Sequence, residues 1–170
     1  ERAYGRDHTS VATTLTCLGN AYGRLGDQAK KRDMLERALA INERAYGSDH
    51  ANVAFPLANL GTLCDDLGDQ AKAREYYGRA HAIWERAYGP EHQMTKRVRA
   101  CLDGVQADLK FPLHAATKRG DVDAMTQLLD GGAEVDAKKD GATPLFVACE
   151  GGHVDVARLL LERGAGVDHA

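Results

Sequence analysis

The residues of this chain most able to do chemistry are histidines that recur at one position of a repeated motif. His8, His50 and His92 each follow an acidic residue and are spaced 42 residues apart. A zinc site needs its ligands within about 2.0–2.3 Å of one point. Stacked helical repeats place equivalent residues roughly 10 Å or more apart, so these histidines do not converge. We therefore predict no metal site and interpret the histidines as caps or loop residues where helices begin.

Two acidic motifs contain residue types that occur in catalytic or calcium sites. Asp65 and Asp66 form a carboxylate pair, which we interpret as a solvated helix end instead of an acid–base pair. The stretch from Gly120 to Asp123 lacks the twelve-residue ligand pattern of a calcium loop, so we predict a turn between helices. No G-x-S-x-G, phosphate-binding loop or H-E-x-x-H motif occurs. We expect no enzyme activity, no cofactor and no small-molecule substrate.

The histidines belong to a strict internal repeat, which determines where the fold places them. The motif Glu-Arg-Ala-Tyr-Gly begins at Glu1, Glu43 and Glu85, a step of 42 residues each time. When the first 42 residues are aligned with the next 42, more than half of the positions are identical without a gap. A period of this size is typical of a solenoid, in which each unit packs on its neighbours.

Apolar spacing predicts two helices in each unit. Gly26 ends the first helix of the first unit, Asp27 caps the second, and Gly47 closes it. The first helix is indicated by apolar side chains spaced three and four apart: Val11, Leu15, Leu18, Tyr22 and Leu25.

Three residues inside these helices predict special packing. Gly19 and Gly61 lie in mid-helix, where glycine costs roughly 1 kcal/mol relative to alanine. We therefore expect another backbone to approach closely at both positions. Pro56 deletes a backbone donor in the first helix of the second unit, so we expect a kink or a late start of that helix.

The motifs of the first two units resemble the tetratricopeptide repeat. The first unit contains Leu15-x-x-Leu18-Gly19-x-x-Tyr22, then Gly26-Asp27 and Leu35-x-x-Ala38. The second unit keeps the pattern with Cys64 in place of the aromatic residue, and Lys31 stands where the family prefers alanine. The 42-residue period and the Ala-Tyr-Gly-x-Asp-His connection are similar to the subclass found in kinesin light chains. A third unit begins at Glu85, and its first helix is predicted from about Met94 to Asp108.

A second period, of 32 residues, follows. Pro-Leu-His-Ala-Ala at Pro112 is followed by Gly-Asp-Val-Asp and Leu-Leu, and the pattern returns from Pro144. Each copy closes with Gly-Ala-x-Val-Asp. These motifs resemble the ankyrin repeat, which implies short helical pairs leading into extended hairpins. Phe146 replaces the histidine seen as His114, and we expect His114 to hydrogen-bond within its own turn.

The predicted fold is therefore all-α. Residues 1–108 form an α-solenoid of stacked helical hairpins, with two full tetratricopeptide-like units and a partial third. It continues into two ankyrin-like repeats in residues 109–170. In the 42-residue register, Glu1 corresponds to the last turns of a second helix. We therefore expect this chain to be a piece of a longer protein or a short gene product with exposed ends.

Composition restricts the class of partner. The chain carries 22 basic and 25 acidic residues and a net charge of −3. Nucleic-acid and anionic-membrane surfaces need a basic excess, so we expect neither partner. The four cysteines include no C-x-x-C pair, and no signal peptide or apolar span is present. We expect free thiols and a cytoplasmic location.

The resemblance implies where a partner would bind. In tetratricopeptide arrays the first helices line a concave groove that takes a peptide. The groove residues implied here are Thr13, Thr16, Asn20 and Arg24 in the first unit and Phe55, Ala58, Thr62 and Asp66 in the second. Asn59 resembles the asparagine of kinesin light chain repeats. Asn20 is either part of a carboxylate clamp or an ordinary exposed residue, because Thr16 stands where the clamp has a lysine.

A second surface is implied in the ankyrin-like part. The residues that would face a partner there, or else form a plain solvated surface, are Lys118, Arg119, Lys138, Lys139 and Glu150.

The function these features favour is a scaffold or adaptor that holds a protein or peptide on its concave repeat surface. One alternative is a cargo adaptor like kinesin light chains, with an acidic or aromatic-acidic peptide partner. Another is a regulatory segment of a larger multidomain enzyme. A designed or decaying repeat without a partner is a third.

Overall fold

The computed structural model describes residues 9–167 of the chain. In that part it contains nine helices and one isolated antiparallel bridge, which confirms the all-α fold. His8 and Asp168, both included in the motifs above, lie outside the described residues. The helices are α1 (Thr9–Arg24), α2 (Gln28–Tyr46), α3 (Ala51–Asp66), α4 (Gln70–Tyr88), α5 (Gln93–Lys110), α6 (Pro112–Arg119), α7 (Val122–Asp130), α8 (Pro144–Glu150) and α9 (Val154–Glu162).

The chain divides into two compact units within α5. The first unit ends at Gln106 and the second begins at Ala107. In the first unit α1 packs on α2, α2 on α3 and α3 on α4. Val98 and Val105 of α5 join the same buried cluster as Tyr77 and Trp84 of α4. Helix α5 therefore supplies apolar side chains to the core of the first unit.

Capping residues set the ends of the long helices, as predicted. Asp27 Oδ1 accepts a hydrogen bond from the Lys30 backbone N–H at 3.0 Å, which caps α2. The Lys30 side chain also hydrogen-bonds Asp27, and this contact lowers the pKa of the Asp27 carboxyl. Gly47 ends α2 at a φ of 84°, a conformation that glycine adopts without steric cost.

The histidines that precede α3 and α5 cap these helices, as interpreted from the sequence. His50 Nδ1 accepts from the Asn52 backbone N–H at 3.2 Å. His92 Nδ1 accepts from the Met94 backbone N–H at 3.3 Å. Each histidine therefore satisfies a backbone donor that has no partner inside the first turn of its helix.

The predicted apolar face of α1 is only partly buried. Ala12 and Leu15 pack against α2, but Leu18 is 42% exposed and Leu25 is 81% exposed. At the equivalent position of α3, Leu60 is 1% exposed because it packs in a cluster with Leu35 of the preceding helix. No helix precedes α1 in the described part of the chain, so Leu18 has no such neighbour there. Leu25 follows the end of α1, and its register equivalent Leu67 is also 50% exposed.

The mid-helix glycines make room for different neighbours. A Cβ on Gly19 would lie 3.2 Å from the Lys31 carbonyl oxygen, which confirms a close backbone approach. A Cβ on Gly61 would lie 2.6 Å from Cδ1 of the Tyr77 ring. The expectation of a second backbone was wrong at Gly61, where an aromatic side chain occupies the space that the register gives to Leu35 in the first unit.

Helix α3 accommodates Pro56 through a side chain of the preceding helix. The helix starts at Ala51 and includes Pro56, so a late start was the wrong expectation. Proline has no N–H to donate to the carbonyl four residues earlier, which belongs to Asn52. That carbonyl instead accepts a hydrogen bond from Asn42 Nδ2 of α2 at 3.0 Å. Asn42 is 7% exposed, so the bond replaces a missing backbone partner in a largely buried place.

The second unit is built from two pairs of short helices. Helix α6 packs on α7 and α8 on α9, while α6 also contacts α8 and α7 contacts α9. Their buried cluster includes Leu113, Met125, Val156 and Leu160. Gly120 ends α6 at a φ of 69°, and Asp121 Oδ1 caps α7 by accepting from the Ala124 N–H. The predicted turn between helices at Gly120–Asp123 is therefore confirmed.

Side chains of each pair bond to the backbone of the other pair. His114 Nε2 lies 3.0 Å from the Ala142 carbonyl oxygen, 28 residues away. His114 therefore bonds to the next repeat, and the expectation that it bonds within its own turn was wrong. His153 Nε2 lies 3.1 Å from the Lys118 carbonyl oxygen. These two side-chain to backbone bonds link one pair of helices to the other.

The extended connection between the two pairs ends in a tight hairpin. The Lys139 N–H donates to the Ala142 carbonyl and the Ala142 N–H donates to the Lys139 carbonyl, both at 3.0 Å. Asp140 and Gly141 between them have φ values of 53° and 87°, as a two-residue hairpin turn requires. This confirms the predicted extended hairpin after the first pair.

Removing the Asn42 amide tests whether it compensates for Pro56. Asn42→Ala should lower the free energy of unfolding by about 1–3 kcal/mol, because the Asn52 carbonyl is left without a partner. In a Pro56→Ala background the restored N–H can bond that carbonyl, so the same change should cost much less. Urea denaturation of the four proteins measures the coupling.

Asn59→Ala is the matched control for this cycle. The Asn59 Nδ2 donates to the Phe55 carbonyl at 2.8 Å, a carbonyl that the helix already pairs. Its removal should change stability by less than about 0.5 kcal/mol. An Asn42→Ala cost that is the same with and without Pro56 would contradict the compensation.

Candidate functional site

Two neighbouring cavities open on the flanks of α1, α3 and α5 in the first unit. The larger has a volume of about 480 Å³, and its walls include Thr13, Thr16, Cys17, Asn42, Tyr46 and Phe55. The smaller has a volume of about 180 Å³, and its walls include Phe55, Asn59, Thr62, Trp84, Arg97 and Cys101. Phe55 lines both, and we refer to the two cavities together as the helix groove.

The repeat places equivalent residues along the helix groove. Thr13, Phe55 and Arg97 occupy one position of the 42-residue register, on α1, α3 and α5 in turn. Cys17, Asn59 and Cys101 occupy a second such position. The same face of each first helix therefore contributes to the groove, as the resemblance implied.

The larger cavity is mostly apolar, and a few polar groups lie in its wall. Thr16 Oγ1 donates to the Ala12 carbonyl at 2.9 Å, and Asn42 Nδ2 donates to the Asn52 carbonyl at 3.0 Å. No lysine, arginine, aspartate or glutamate is among its lining residues in the described part of the chain. Tyr46 stacks on His50 with ring centroids 4.4 Å apart, which holds one aromatic wall in place.

The smaller cavity has an aromatic floor and a cationic rim. The rings of Phe55 and Trp84 meet edge to face with centroids 5.1 Å apart. Tyr77 Oη donates to Thr62 Oγ1 at 3.0 Å, and burial raises the pKa of Tyr77, so its phenol stays protonated at neutral pH. Trp84 is 3% exposed, and its Nε1 has no hydrogen-bond partner among residues 9–167. Arg97 is exposed at the edge.

The groove brings together most, but not all, of the residues implied by the resemblance. Thr13, Thr16, Phe55, Ala58, Asn59 and Thr62 line one or both cavities. Asn20, Arg24 and Asp66 line neither.

Asp66 has a partner inside the protein instead. Its Oδ2 lies 3.5 Å from Lys31 Nζ, and the Lys31 side chain is only 10% exposed. A Cβ on Gly23 would lie 2.7 Å from Cδ of Lys31, so glycine at that position gives the lysine its space. The unusual Lys31 therefore lies between two repeats. Asp65 accepts from Gln70 Nε2 at 3.0 Å, so each of the two carboxylates has its own partner.

Several groove residues escaped the sequence interpretation. Cys17, Arg97 and Cys101 follow from the 42-residue register once Phe55 and Asn59 are accepted as groove residues, so that signal was present. Asn42, Trp84 and Tyr77 lie on second helices, and no pattern in the first helices indicates them.

The charged residues that the resemblance implies as a binding surface in the second unit differ in their exposure. Lys118, Lys138 and Glu150 are exposed, and Arg119 is half-buried. The Lys139 side chain is 15% exposed, with Nζ 3.7 Å from Asp108 Oδ1 and 5.7 Å from the centre of the Phe111 ring. Lys139 therefore contacts its own unit, which leaves less of it available to a partner.

Two other kinds of feature concern the described residues, a metal-ligand group and a membrane-spanning helix. Between Thr9 and Val167 no three side chains of His, Cys, Asp or Glu are grouped as metal ligands would be. In the same stretch, no helix has the length and apolar character needed to cross a bilayer.

Comparison with protein families identifies two kinds of repeat. One model described as "Tetratricopeptide repeat" matches residues 11–52, and a second with the same description matches residues 32–86. A model described as "Ankyrin repeats (3 copies)" matches residues 90–170. This match begins earlier than the predicted boundary at residue 109, and it includes α5 before the two pairs of short helices. No curated protein matches this sequence with significance.

Thiol alkylation tests the exposure of the groove. Cys17, Cys101 and Cys149 are free and exposed, whereas Cys64 is free and buried, and burial raises the pKa of the Cys64 thiol. Since the thiolate is the reactive form, N-ethylmaleimide should label the three exposed thiols at least about tenfold faster than Cys64. Mass spectrometry of the digested protein gives each rate. Slow labelling of both Cys17 and Cys101 would show that the groove is closed.

Proposed function

Because this chain carries tetratricopeptide repeats followed by ankyrin repeats, we propose that it is a scaffold or adaptor that holds a protein partner through a peptide bound in the helix groove. Repeats of both kinds generally mediate protein–protein interactions, and they are typically non-catalytic. In this proposal residues 1–108 supply the groove and the ankyrin repeats of residues 109–170 supply a second surface. The chain itself carries out no reaction.

The observation that carries the proposal is where the two full repeats differ. Several core positions are the same in both, such as Leu15 and Leu57, although Tyr77 takes the place of Leu35. Some exposed positions are also the same, such as Lys30 and Lys72. The groove positions differ, with Thr13 replaced by Phe55 and Cys17 by Asn59 in the register. Different side chains along one continuous face suit recognition of a partner whose own sequence varies along its length.

The size and composition of the groove also support a peptide ligand. The larger cavity, of about 480 Å³, falls in the range of roughly 300–1,000 Å³ that is typical of ligand pockets, and the cavity of about 180 Å³ lies beside it. The aromatic residues Phe55, Trp84 and Tyr46 supply apolar area at low entropy cost, as binding hot spots do. Phe55, between the two cavities, is the residue whose loss should affect binding most.

A peptide library tests the proposal directly. Peptides selected from a random phage-displayed library against the wild-type protein should bind Phe55→Ala at least about 30-fold more weakly, the effect of losing a central aromatic contact worth ~2 kcal/mol. Bound peptide should also slow alkylation of Cys17 and Cys101 and leave Cys149 unaffected. Binding constants come from fluorescence anisotropy.

Tyr88→Ala is the matched control. Tyr88 is an exposed aromatic residue of the same unit, 47% exposed, and it lines neither cavity. Its removal should leave peptide affinity unchanged. Peptides that bind Phe55→Ala as tightly as wild type, or that protect only Cys149, would refute binding in the groove.

A cargo adaptor like kinesin light chains is the second candidate, and Arg97 favours it. Arg97 lies on the edge of the aromatic floor formed by Phe55 and Trp84. Within residues 9–167, Arg97 makes no ion pair or hydrogen bond. A peptide with an aromatic residue beside a carboxylate would satisfy both features.

Charge removal at Arg97 tests this second candidate. Among the selected peptides, those with an aromatic–acidic pair should lose at least about tenfold in affinity for Arg97→Gln, since a charged hydrogen bond contributes roughly 1.5–3 kcal/mol. Peptides without a carboxylate should be unaffected. Lys96→Gln is the control, because Lys96 is the adjacent cation and pairs with Glu91 at 2.6 Å. Equal losses for both variants would indicate a general charge effect.

A further inference from the structure

We propose that His50 is a positioning residue of the helix groove, which holds two walls of the larger cavity in place only while its Nδ1 is unprotonated. Peptide binding should therefore weaken in acid. The inference rests on the proposed function, because it adds a dependence on pH to binding in the groove. It is carried by the two contacts that the His50 ring makes, one with α3 and one with α2.

The first contact of His50 holds the start of α3. The Asn52 backbone N–H donates to His50 Nδ1 at 3.2 Å. This N–H lies in the first turn of the helix, where no helical carbonyl is placed to accept from it. Asn52 lines the larger cavity, and its carbonyl accepts from Asn42 Nδ2 at 3.0 Å. The imidazole therefore keeps a backbone segment of the cavity wall in place.

The second contact of His50 holds an aromatic wall. The rings of Tyr46 and His50 stack with centroids 4.4 Å apart and an interplanar angle of 16°. Tyr46 is exposed and lines the same cavity as Asn52. Because Tyr46 ends α2 and Asn52 lies at the start of α3, the single ring of His50 joins walls from two helices.

The direction of the hydrogen bond makes this arrangement sensitive to protons. A backbone N–H can only donate, so Nδ1 of His50 must accept through a free lone pair. Both ring nitrogens of a protonated histidine are donors, so protonation would set N–H against N–H at Asn52. The added positive charge would also lie at the N-terminus of α3, where the helix dipole disfavours a cation. Acid should therefore release His50 from the cap and free the residues that it holds.

The repeat supplies a second copy of this arrangement at α5. His92 Nδ1 accepts from the Met94 backbone N–H at 3.3 Å, and its ring lies 4.6 Å from the ring of Tyr88. Met94 lines the smaller cavity, whereas Tyr88 lines neither. His92 therefore supports one wall of the groove where His50 supports two. We expect His50 to account for more of the pH dependence.

The charged groups beside the two histidines are paired with each other. In the described part of the chain, Asp49 Oδ2 lies 3.0 Å from Arg86 Nη1. In the next repeat Glu91 Oε2 lies 2.6 Å from Lys96 Nζ. Each carboxylate thus has its own cation, and neither pair supplies an acceptor that would replace the lost lone pair of the imidazole. His50 is exposed, so it exchanges protons freely with solvent.

A pH series of peptide affinity tests the inference. The probe is a peptide selected against the wild-type protein, with blocked ends and no Asp, Glu or His, so that its own charge stays constant. An ordinary histidine is about nine-tenths protonated at about pH 5.5. Between about pH 7.5 and about pH 5.5 the dissociation constant of the wild-type protein should therefore rise about three- to tenfold, because only the capped form binds well. Fluorescence anisotropy with a dye that does not titrate measures it.

Replacing His50 by a cap that does not titrate should remove most of this dependence. In His50→Asn the side-chain oxygen can accept from the same N–H, and asparagine keeps its charge state throughout this range. The ratio of its two dissociation constants should be less than about twofold. His50→Ala has no cap, so it should bind more weakly than the wild type at neutral pH and should also lose the dependence.

His81→Gln is the matched control. His81 is another histidine of the first unit whose ring nitrogen accepts a hydrogen bond, since Arg99 Nε donates to its Nε2 at 3.1 Å. It lines neither cavity. Its replacement should leave the pH dependence of the wild type intact. A dependence that disappears equally in His81→Gln would show that acid acts on the first unit in general and would overturn the role of His50.

NMR spectra of the free protein examine the cap without a peptide. The Asn52 amide signal should shift over the same pH range as the His50 ring signals, with the same midpoint. In His50→Asn the Asn52 amide should stay constant. An Asn52 amide of the wild-type protein that does not follow His50 would overturn the inference, whatever the peptides do.

The two measurements separate this inference from the proposed function. Binding that depends on Phe55 and protects Cys17, but is equal at both pH values or keeps its pH dependence in His50→Asn, would overturn the role of His50 and leave the groove as the binding site. If the Asn52 amide follows His50 and no selected peptide depends on Phe55, the acid-sensitive cap stands. The proposed function then fails, and the effect of acid on binding fails with it.

Discussion

The hydrogen bond from Asn42 Nδ2 to the Asn52 carbonyl, 3.0 Å long, joins two repeats at the wall of the larger cavity. It exists because Pro56 cannot supply the usual backbone donor. Without it, α3 would carry a buried, unpaired carbonyl beside the residue, Phe55, that lines both cavities. The next repeat needs no such bond, since the register places Trp84 at the position of Asn42 and Val98 at that of Pro56. One local defect and its correction thus place a side-chain amide in the wall of the first cavity, while the second has an aromatic floor.

In the proposed function, this difference between neighbouring repeats is what selects the partner. Some apolar side chains at the centre of each helical pair, such as Ala38 and Ala80, are buried and identical, so both units form a pair of packed helices. The faces of α1, α3 and α5 are then free to carry different side chains at equivalent positions. In the described part of the chain, a cavity lined without charged side chains is followed by an aromatic cavity with a cation at its edge, so successive repeats offer different chemistry.

Much of the fold follows from short-range signals in the sequence. Asp27, Gly47 and His50 act through bonds to residues within four positions, so their roles as helix ends could be predicted, and the 42- and 32-residue periods indicated the two kinds of repeat.

Contacts between repeats could not be predicted from such signals. The exposure of Leu18 depends on which helix lies next to α1, and the bond of His114 to Ala142 spans 28 residues. At the site, Phe55, Asn59 and Thr62 were anticipated from the first helices. Asn42 and Trp84 were not, because side chains from second helices enter the groove only once the helices are packed.

The central claim is that the partner binds along α1, α3 and α5. Hydrogen–deuterium exchange of the wild-type protein, with and without a saturating selected peptide, tests it most directly because exchange reports every helix in one experiment. The account predicts slower exchange in peptides covering α1, α3 and α5, with little change in α7 and α9. Protection confined to the second unit, or absent from α3, would contradict it.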